Sequence, residues 1–458
     1  MTSQDTAALD APVIDDLRDR ITGRVIEPQD TGYDAARGIM LGGFDPRPAV
    51  IIRPADDDDV VEAIAFARRT GLPLAVRSGG HSGAAHSTID GGLVIDLRDL
   101  KEYAIDATGR TVWAEAGLTA GELSAAAAAN GLVIGFGDTG SVGISGITLG
   151  GGVGYLSRKY GLTIDNLLAA DVVTADGRVL RVDADSHPDL FWAIRGGGGN
   201  FGVVTRMKFR LQPLDGVVGG MLFLPATAAT VAGFMTAAQA APDELSTIAN
   251  VMPCPPMPFV PEELHGRLVL MGLFCFAGPP DDGAAAMAPF RALAEPIVDM
   301  VRPIAYPELF PPENPDYHPT AISRTMMIDA VDDPTATAIM AQLESIDGMR
   351  VVQLRALGGA IARVPAEATA YAHRSARVMV NVAAFYTDDR PHRLAWVEAT
   401  MAALDQGVSG AYVDFLGDEP ERVREAYPGA TWDRLTAIKA RLDPDNVFRR
   451  NQNIAPAG

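Results

Sequence analysis

The chain has 458 residues, of which 48% are hydrophobic and 21% are charged, and its formal net charge is −20. This is the composition of a globular protein, and the length is too great for one compact core, so two or three domains are expected. The acidic balance disfavours nucleic acid as a partner, no apolar run is long enough to cross a membrane, and the N-terminus has no secretory signal pattern, which predicts a cytoplasmic protein.

The first part of the chain alternates strand and helix signals. The run "PAVIIRP" (48–54) predicts a short buried strand. The next run, "DDDDVVEAIAFARRTG" (56–71), predicts a helix, because its acidic start suits the helix dipole and Gly71 can end it. Strands are predicted within 72–80, 91–100 and 111–117, and a helix within 118–131. This order predicts an α/β unit with crossover connections.

Glycine is dense between residues 142 and 202, and the pattern Gly-x-Gly-x-x-Gly occurs at 135–140 and at 197–202. A dinucleotide-binding turn would continue into a helix, but the residues after 140 predict a poor helix and those after 202 are strand-like. Repeated glycines also let the backbone approach a ligand and point N–H groups at phosphates. The glycine-rich stretches therefore indicate a large phosphorylated cofactor that contacts several loops.

The pattern changes after residue 213. Alternating runs such as "HGRLVLMGLFCFAG" and "RVMVNVAAFYTD" predict an antiparallel sheet between about 217 and 410. The chain then returns to strand and helix, with "GAYVDFLGDE" (410–419) predicted as a strand and a helix predicted from Trp432 to about Leu442. The two cysteines, Cys254 and Cys275, fit neither a disulfide scaffold nor a zinc pattern, and the histidine spacing indicates no metal site.

Four stretches carry a family resemblance: "RSGGHS" (77–82), the glycine-rich segment 139–177, "DLFWAIRGGGGNFGVVT" (189–205) and "NVFRRNQNI" (446–454). In this order they resemble the vanillyl-alcohol-oxidase superfamily of FAD proteins, and more closely its berberine-bridge-enzyme-like branch. The resemblance implies an α+β fold. A two-part α/β FAD-binding domain of the PCMH type (1–216, with its core at about 46–216, and 410–458) would hold an inserted substrate domain (217–409) of antiparallel sheet covered by helices.

The resemblance also assigns cofactor roles. In the family the "SGGH" loop wraps the FAD diphosphate and its histidine is bonded to the flavin 8α-methyl, and His81 is the matching residue. Without the resemblance, His81 could be a solvated imidazole in a polar turn. Many members add a cysteine tether where this chain has Thr139, so a single covalent link is expected. The other residues expected to contact FAD are Arg77, Ser78, Gly79, Gly80, Ser82, Thr139, Gly140, Val142, Gly143, Ser145, Gly146, Gly151, Gly154, Tyr155, Val203, Asn451 and Asn453.

A base can assist loss of a hydride by taking a proton from the attached oxygen or nitrogen. Strand alternation in the predicted strand would place Tyr412 and Asp414 on one face. Many relatives read Tyr-x-Asn-Tyr here, so Asp414 and Phe415 are departures that suit an amine better than an alcohol oxidised with a tyrosinate. Asn381 and Tyr386 are further catalytic candidates, and His373 is a weaker one.

These features together predict an FAD-dependent oxidase. It would take a hydride from a C–N or C–O carbon of a small organic substrate, and O2 would reoxidise the flavin to give H2O2. The alternatives are a dehydrogenase of the same fold, an oxidative tailoring or cyclising enzyme of natural-product biosynthesis, and a flavin-binding protein without turnover. The sequence leaves the oligomeric state open, with a homodimer as one option.

Overall fold

The computed structural model describes residues 11–312, 314 and 316–457. Its first sheet has four strands in the order Arg24–Ile26, Val50–Arg53, Leu93–Asp96 and Leu74–Arg77, of which the last three are parallel. Helix Asp57–Thr70 is the crossover, with Asp56 as its N-cap and Gly71 in the left-handed conformation at its end. The predicted strands and helix of this region are confirmed. Two further helices are Ala11–Arg20 and Tyr33–Arg37.

The second sheet is antiparallel and has five strands in the order Tyr103–Asp106, Thr111–Glu115, Val203–Arg210, Leu167–Val173 and Val179–Asp183. Its helices are Ala120–Ala128, Ile144–Gly150, Ser157–Tyr160 and Pro188–Ile194, and a small pair joins Leu132–Val133 to Gln212–Pro213. Helix Ile144–Gly150 corrects the expectation of a poor helix after Gly140. Burial of Ile144 and Leu149 outweighs the low helix propensity of its glycines.

The third sheet is antiparallel and has eight strands. Seven follow the order Val298–Asp299, Val217–Pro225, Leu268–Phe276, Leu245–Pro253, Arg350–Ala356, Val378–Phe385 and Ala321–Ile328, and Arg302–Ile304 also pairs with Val217–Pro225. Four helices belong to this part: Ala228–Ala240, Pro280–Arg291, Asp333–Glu344 and Arg390–Leu404. The short helix Ala360–Arg363 follows strand Arg350–Ala356 in the chain. Its core includes Phe234, Phe274 and Phe290. The antiparallel sheet covered by helices is confirmed.

The C-terminal chain returns to the first two sheets through helices Val423–Ala426 and Ala430–Leu442. The predicted strand at 410–419 is wrong, because this segment instead forms a 3-10 turn at Val413–Phe415. Its amides bond within the turn, from Phe415 to the Tyr412 carbonyl and from Leu416 to the Val413 carbonyl. Across the described ranges, no helix combines the length and apolarity needed to cross a membrane.

Candidate active site

A cavity of about 440 Å³ lies where the loops of the first two sheets meet the returning C-terminal chain. Most of its wall comes from the segments 78–87, 138–149, 198–204, 412–416 and 448–452. Ser323 contributes from the edge strand of the third sheet. The cavity is therefore shared by all three parts of the fold.

The residue before the glycine loop, Arg77, is 1% exposed and does not line the cavity. Its guanidinium donates to Asp96 Oδ2 at 3.0 Å and to the Gly38 carbonyl at 3.0 Å. Burial opposes the charge of Asp96, but a hydrogen bond from Arg98 and the neighbouring guanidinium charges hold its pKa at about 2. Arg77 therefore anchors the base of the loop.

The glycine loop touches the start of helix Ile144–Gly150. A Cβ atom added to Gly79 would lie 2.2 Å from the Gly143 nitrogen, and one added to Gly143 would lie 2.0 Å from Ser78 Oγ. The hydroxyls of Ser78 and Ser145 both donate to the Ala116 carbonyl, at 2.8 and 3.3 Å. Only glycine allows this close approach of two backbones.

Two imidazoles line the cavity, His81 and His86. Burial lowers the pKa of His81, and a backbone hydrogen bond with Ser141 opposes this. Burial, and after it the charge of Arg450, lowers the pKa of His86 to about 4. Both rings are therefore neutral near pH 7 and carry a nitrogen lone pair. Sequence reasoning did not single out His86, since a lone histidine in a turn-rich segment has no pattern to mark it.

A buried ion pair joins the C-terminal helix to the cavity wall. Lys439 Nζ donates to Asp443 Oδ2 at 2.6 Å, to the Asn200 carbonyl at 2.8 Å and to the Phe448 carbonyl at 2.9 Å. Both charged side chains have no solvent exposure. The Asn200 amide in turn donates to the Gln452 carbonyl at 3.2 Å. These contacts fix two wall segments, 198–204 and 448–452, against each other.

Tyr412 and Asp414 meet at the cavity. The Tyr412 hydroxyl donates to Asp414 Oδ2 at 2.7 Å and accepts from the Gly152 and Val153 amides at 3.0 and 3.2 Å. A Cβ atom added to Gly150 would lie 1.9 Å from Asp414 Oδ1. Burial raises the pKa of Asp414 to about 7, and the hydrogen bond from Tyr412 lowers it by less. This carboxyl group can therefore exchange a proton near neutral pH.

An ion pair crosses the cavity wall between the second and third sheets. Asp138, beside Thr139, contacts Arg355 of strand Arg350–Ala356, with Oδ2 and Nη2 2.6 Å apart. The Arg355 guanidinium also lies 5.1 Å from the centre of the Phe415 ring. Sequence reasoning missed both partners, because they are 217 residues apart and neither belongs to a motif.

The structure brings many of the predicted site residues together. Those that line the cavity are Ser78, Gly79, Gly80, His81, Ser82, Thr139, Val142, Gly143, Ser145, Gly146, Val203, Asn451, Tyr412 and Asp414. Those that do not line it are Arg77, Gly140, Gly151, Gly154, Tyr155, Asn453, Asn381 and Tyr386.

Three residues of the second group, and His373, are held elsewhere in the fold. Gly154 lies against Gly137, since a Cβ atom added to Gly154 would be 2.3 Å from the Gly137 Cα. Tyr155 is buried. Asn381 is level with Gln353 on the neighbouring strand of the third sheet. The ring of His373 contacts the Glu425 carbonyl at 2.7 Å, outside the cavity wall.

The cavity has room and polar groups for a cofactor. Ser87 Oγ and Asn451 Oδ1 in its wall are buried and have no hydrogen-bond partner in the structure. Gly146 and Gly199, also in the wall, have no atom within 4 Å of an added Cβ. Buried polar groups are normally satisfied, so this wall fits a ligand with phosphate oxygens and hydroxyls. Within the described ranges, no three His, Cys, Asp or Glu side chains are grouped to hold a metal ion.

Comparison with known proteins agrees with this geometry. The family described as FAD binding domain matches residues 48–183, and the family described as berberine and berberine like matches residues 411–455. The (R)-6-hydroxynicotine oxidase of Paenarthrobacter nicotinovorans is 31% identical over 96% of this chain and 98% of its own length. An uncharacterised FAD-linked oxidoreductase of Bacillus subtilis is 31% identical over 96% of this chain and 99% of its own.

Solved structures give the same result. The crystal structure of 6-hydroxy-D-nicotine oxidase from Arthrobacter nicotinovorans superimposes with a TM-score of 0.87 at 28% identity, covering 98% of this chain and 100% of that one. The fold and the cavity define an FAD-linked oxidoreductase with a PCMH-type cofactor domain. The chain belongs to the berberine-bridge-enzyme-like family, which confirms the resemblance noted from its motifs.

Proposed function

We propose that this protein is an oxidase that acts on a C–N or C–O carbon of a small organic substrate. The observation that carries the proposal is the convergence of His81, Tyr412 and Asp414 on one cavity. Bound FAD would accept a hydride from the substrate carbon, and O2 would reoxidise it with release of H2O2. The name of the relative from Paenarthrobacter, an oxidase of hydroxynicotine, supports a small heterocyclic amine as the first substrate class to try.

The residues that would hold FAD are those of the loop 78–82, of 142–146, Val203 and Asn451, all of which line the cavity. We further propose a covalent bond between a ring nitrogen of His81 and the 8α carbon of the flavin. In forming this bond the methyl group would lose a C–H bond and the imidazole its N–H, the two electrons and protons would pass to the flavin ring, and O2 would reoxidise the reduced flavin to give H2O2. The hydroxyl of Thr139 cannot supply a second, sulfur-based link, so the tether is single. In this proposal residues 1–216 and 410–458 form the FAD-binding domain, and 217–409 form the substrate domain.

Asp414 is the group best suited to take the substrate proton. Its Oδ2 accepts from Tyr412, and its pKa of about 7 allows the carboxylate to receive a proton from a substrate N–H or O–H group near neutral pH. Tyr412 acts as a positioning residue, because its oxygen is fixed by two backbone amides. Asn381 and Tyr386 are outside the cavity wall and have no role in this proposal.

An anaerobic screen of amines, alcohols, sugars and phenols tests the reaction. A substrate is expected to bleach the flavin absorbance under nitrogen, and admitting air is expected to restore it with one H2O2 per substrate. Bleaching without oxygen uptake would instead indicate a dehydrogenase. Absence of bleaching by every class would contradict the enzymatic proposal.

The tether is tested by unfolding the protein in acid and following the yellow colour. The colour is expected to stay with the wild-type chain and with His86→Ala, and to be released from His81→Ala. His86→Ala is a matched control, because both imidazoles line the same cavity and are neutral. Release of flavin from the wild-type chain would refute the covalent link but not FAD binding.

A further inference from the structure

Arg450 joins the C-terminal tail to the loop that carries the two histidines. Its guanidinium donates to the Thr88 carbonyl at 3.2 Å and to the Ala85 carbonyl at 3.4 Å, and its side chain lines the cavity. Among the residues that the structure describes, no carboxylate lies within ion-pair distance of it. Arg450 therefore brings a positive charge to the cavity wall without a protein partner for that charge.

Arg450 differs in charge from the other side chains of the cavity wall. Two carboxyl groups line the cavity, Asp138, which is paired with Arg355, and Asp414. Of the lining side chains in the described ranges, Arg450 alone is cationic, since the two imidazoles are neutral. The chain as a whole carries a net charge of −20, which would repel an anionic ligand. A ligand with negative groups needs a local positive charge to offset this repulsion.

Two polar groups without partners share the cavity wall with Arg450. Ser87 Oγ on the loop and Asn451 Oδ1 on the tail are buried and make no hydrogen bond in the structure. The serine hydroxyl could donate to a phosphate oxygen, and the asparagine oxygen could accept from a sugar hydroxyl. A phosphorylated ligand with hydroxyl groups would satisfy both.

We propose that Arg450 supplies the positive charge that pairs with the diphosphate of FAD. The inference rests on FAD binding and not on the oxidase reaction. A guanidinium suits this role because it stays charged and presents several N–H donors to phosphate oxygens. It also ties the tail to the Ala85–Thr88 turn, so that cofactor binding would hold these two wall segments together.

The test uses the full chain with His81→Ala, in which FAD binding is reversible. The variants Arg450→Gln, Arg450→Lys and Arg449→Gln are added to it, and the apoproteins are titrated with FAD and with ADP. Arg449 is the matched control, because it is the adjacent arginine and is exposed like Arg450 but does not line the cavity. Titrations at low and high NaCl report the electrostatic part of binding.

Arg450→Gln is expected to weaken FAD and ADP binding about five- to tenfold at low salt. The loss is expected to shrink at high salt, while Arg450→Lys keeps most of the affinity and Arg449→Gln keeps all of it. Equal binding by Arg450→Gln and Arg449→Gln would overturn the proposal. The proposal would also be overturned if Arg450→Lys lost as much affinity as Arg450→Gln and the salt dependence of binding did not change. That result would indicate a purely structural contact.

Two further outcomes separate this proposal from FAD binding itself. Weaker FAD binding with unchanged ADP binding would place Arg450 away from the diphosphate and overturn the inference. Failure of every variant to bind FAD would contradict FAD binding by this chain instead. If the His81→Ala chain does not fold, the single variants Arg450→Gln and Arg449→Gln are purified with His81 intact, and their flavin-to-protein ratios are compared. The ratio is expected to be lower in Arg450→Gln than in Arg449→Gln. Equal ratios would refute the inference.

Discussion

Asp414 is expected to carry a proton at pH 6, where nearly all exposed aspartates are ionised. Burial raises its pKa to about 7 from an ordinary value of 3.8, and no Lys, Arg or His among the described residues forms an ion pair with it. The difference corresponds to about 4 kcal/mol in favour of the protonated group relative to an exposed aspartate. Asp414→Asn keeps the size and an acceptor for Tyr412 but removes the titration.

Infrared spectroscopy tests this directly without a substrate. The wild-type minus Asp414→Asn difference spectrum is expected to contain the C=O band of a protonated carboxyl at pH 6. This band should be lost with a midpoint near pH 7 as the pH rises. A midpoint near 4 would refute the reasoning, because it would mean that the carboxyl group is not desolvated. Removing the Tyr412 donor with Tyr412→Phe is expected to move the midpoint upward.

The same shift has a consequence for stability. Below about pH 3 the carboxyl is protonated in both folded and unfolded chains, so it makes no difference. Between about pH 4 and pH 7 the folded chain keeps the proton that the unfolded chain loses, and the free energy of unfolding falls as the pH rises. Asp414→Asn should therefore be more stable than wild type at pH 8, by up to about 4 kcal/mol, and the difference should vanish near about pH 3. A constant difference across this range would contradict the assignment.

Two other substitutions have defined outcomes. Lys439→Met leaves Asp443 buried without its cation and is expected to cost about 3–5 kcal/mol of stability, measured by denaturant unfolding, with part of the loss recovered in Lys439→Met/Asp443→Leu. Gly143→Ala places a methyl group 2.0 Å from Ser78 Oγ and is expected to abolish flavin retention. The control Gly38→Ala, whose added methyl group has no neighbour closer than 3.7 Å, should retain flavin. Equal flavin content in the two variants would contradict the packing argument.

Sequence signals such as caps and acidic helix starts predicted those helices and strands whose ends are set by neighbouring residues. The sequence predicts helix Asp57–Thr70 because an acidic start suits the helix dipole and Gly71 can end the helix. The strand predicted at 410–419 failed because Tyr412 does not pair with a neighbouring strand: its hydroxyl bonds to amides more than 250 residues away. Alternation still placed Tyr412 and Asp414 together, although their contact arises in a 3-10 turn.

The motifs located loops that line the cavity but could not give the contacts between these loops. Nothing local indicates that Gly79 touches Gly143, or that Asp138 meets Arg355, since each contact depends on how separate sheets pack. The pKa of Asp414 is likewise a property of the enclosing cavity. Sequence reasoning therefore identified residue types suited to the chemistry, while their protonation states came only from burial.

The two histidines that line the cavity differ in motif, because only His81 lies in the "RSGGHS" stretch, but they do not differ in charge. Both rings are neutral, so neutrality alone cannot select the residue that would form the proposed bond to the flavin. Burial lowers the pKa of His81, and the backbone of Ser141 opposes this effect. The pKa of His86 is lowered to about 4 first by burial and then by the charge of Arg450, which disfavours a second positive charge nearby. His86→Ala is therefore an informative control in the acid-unfolding test, because the His86 ring is also neutral and lines the same cavity.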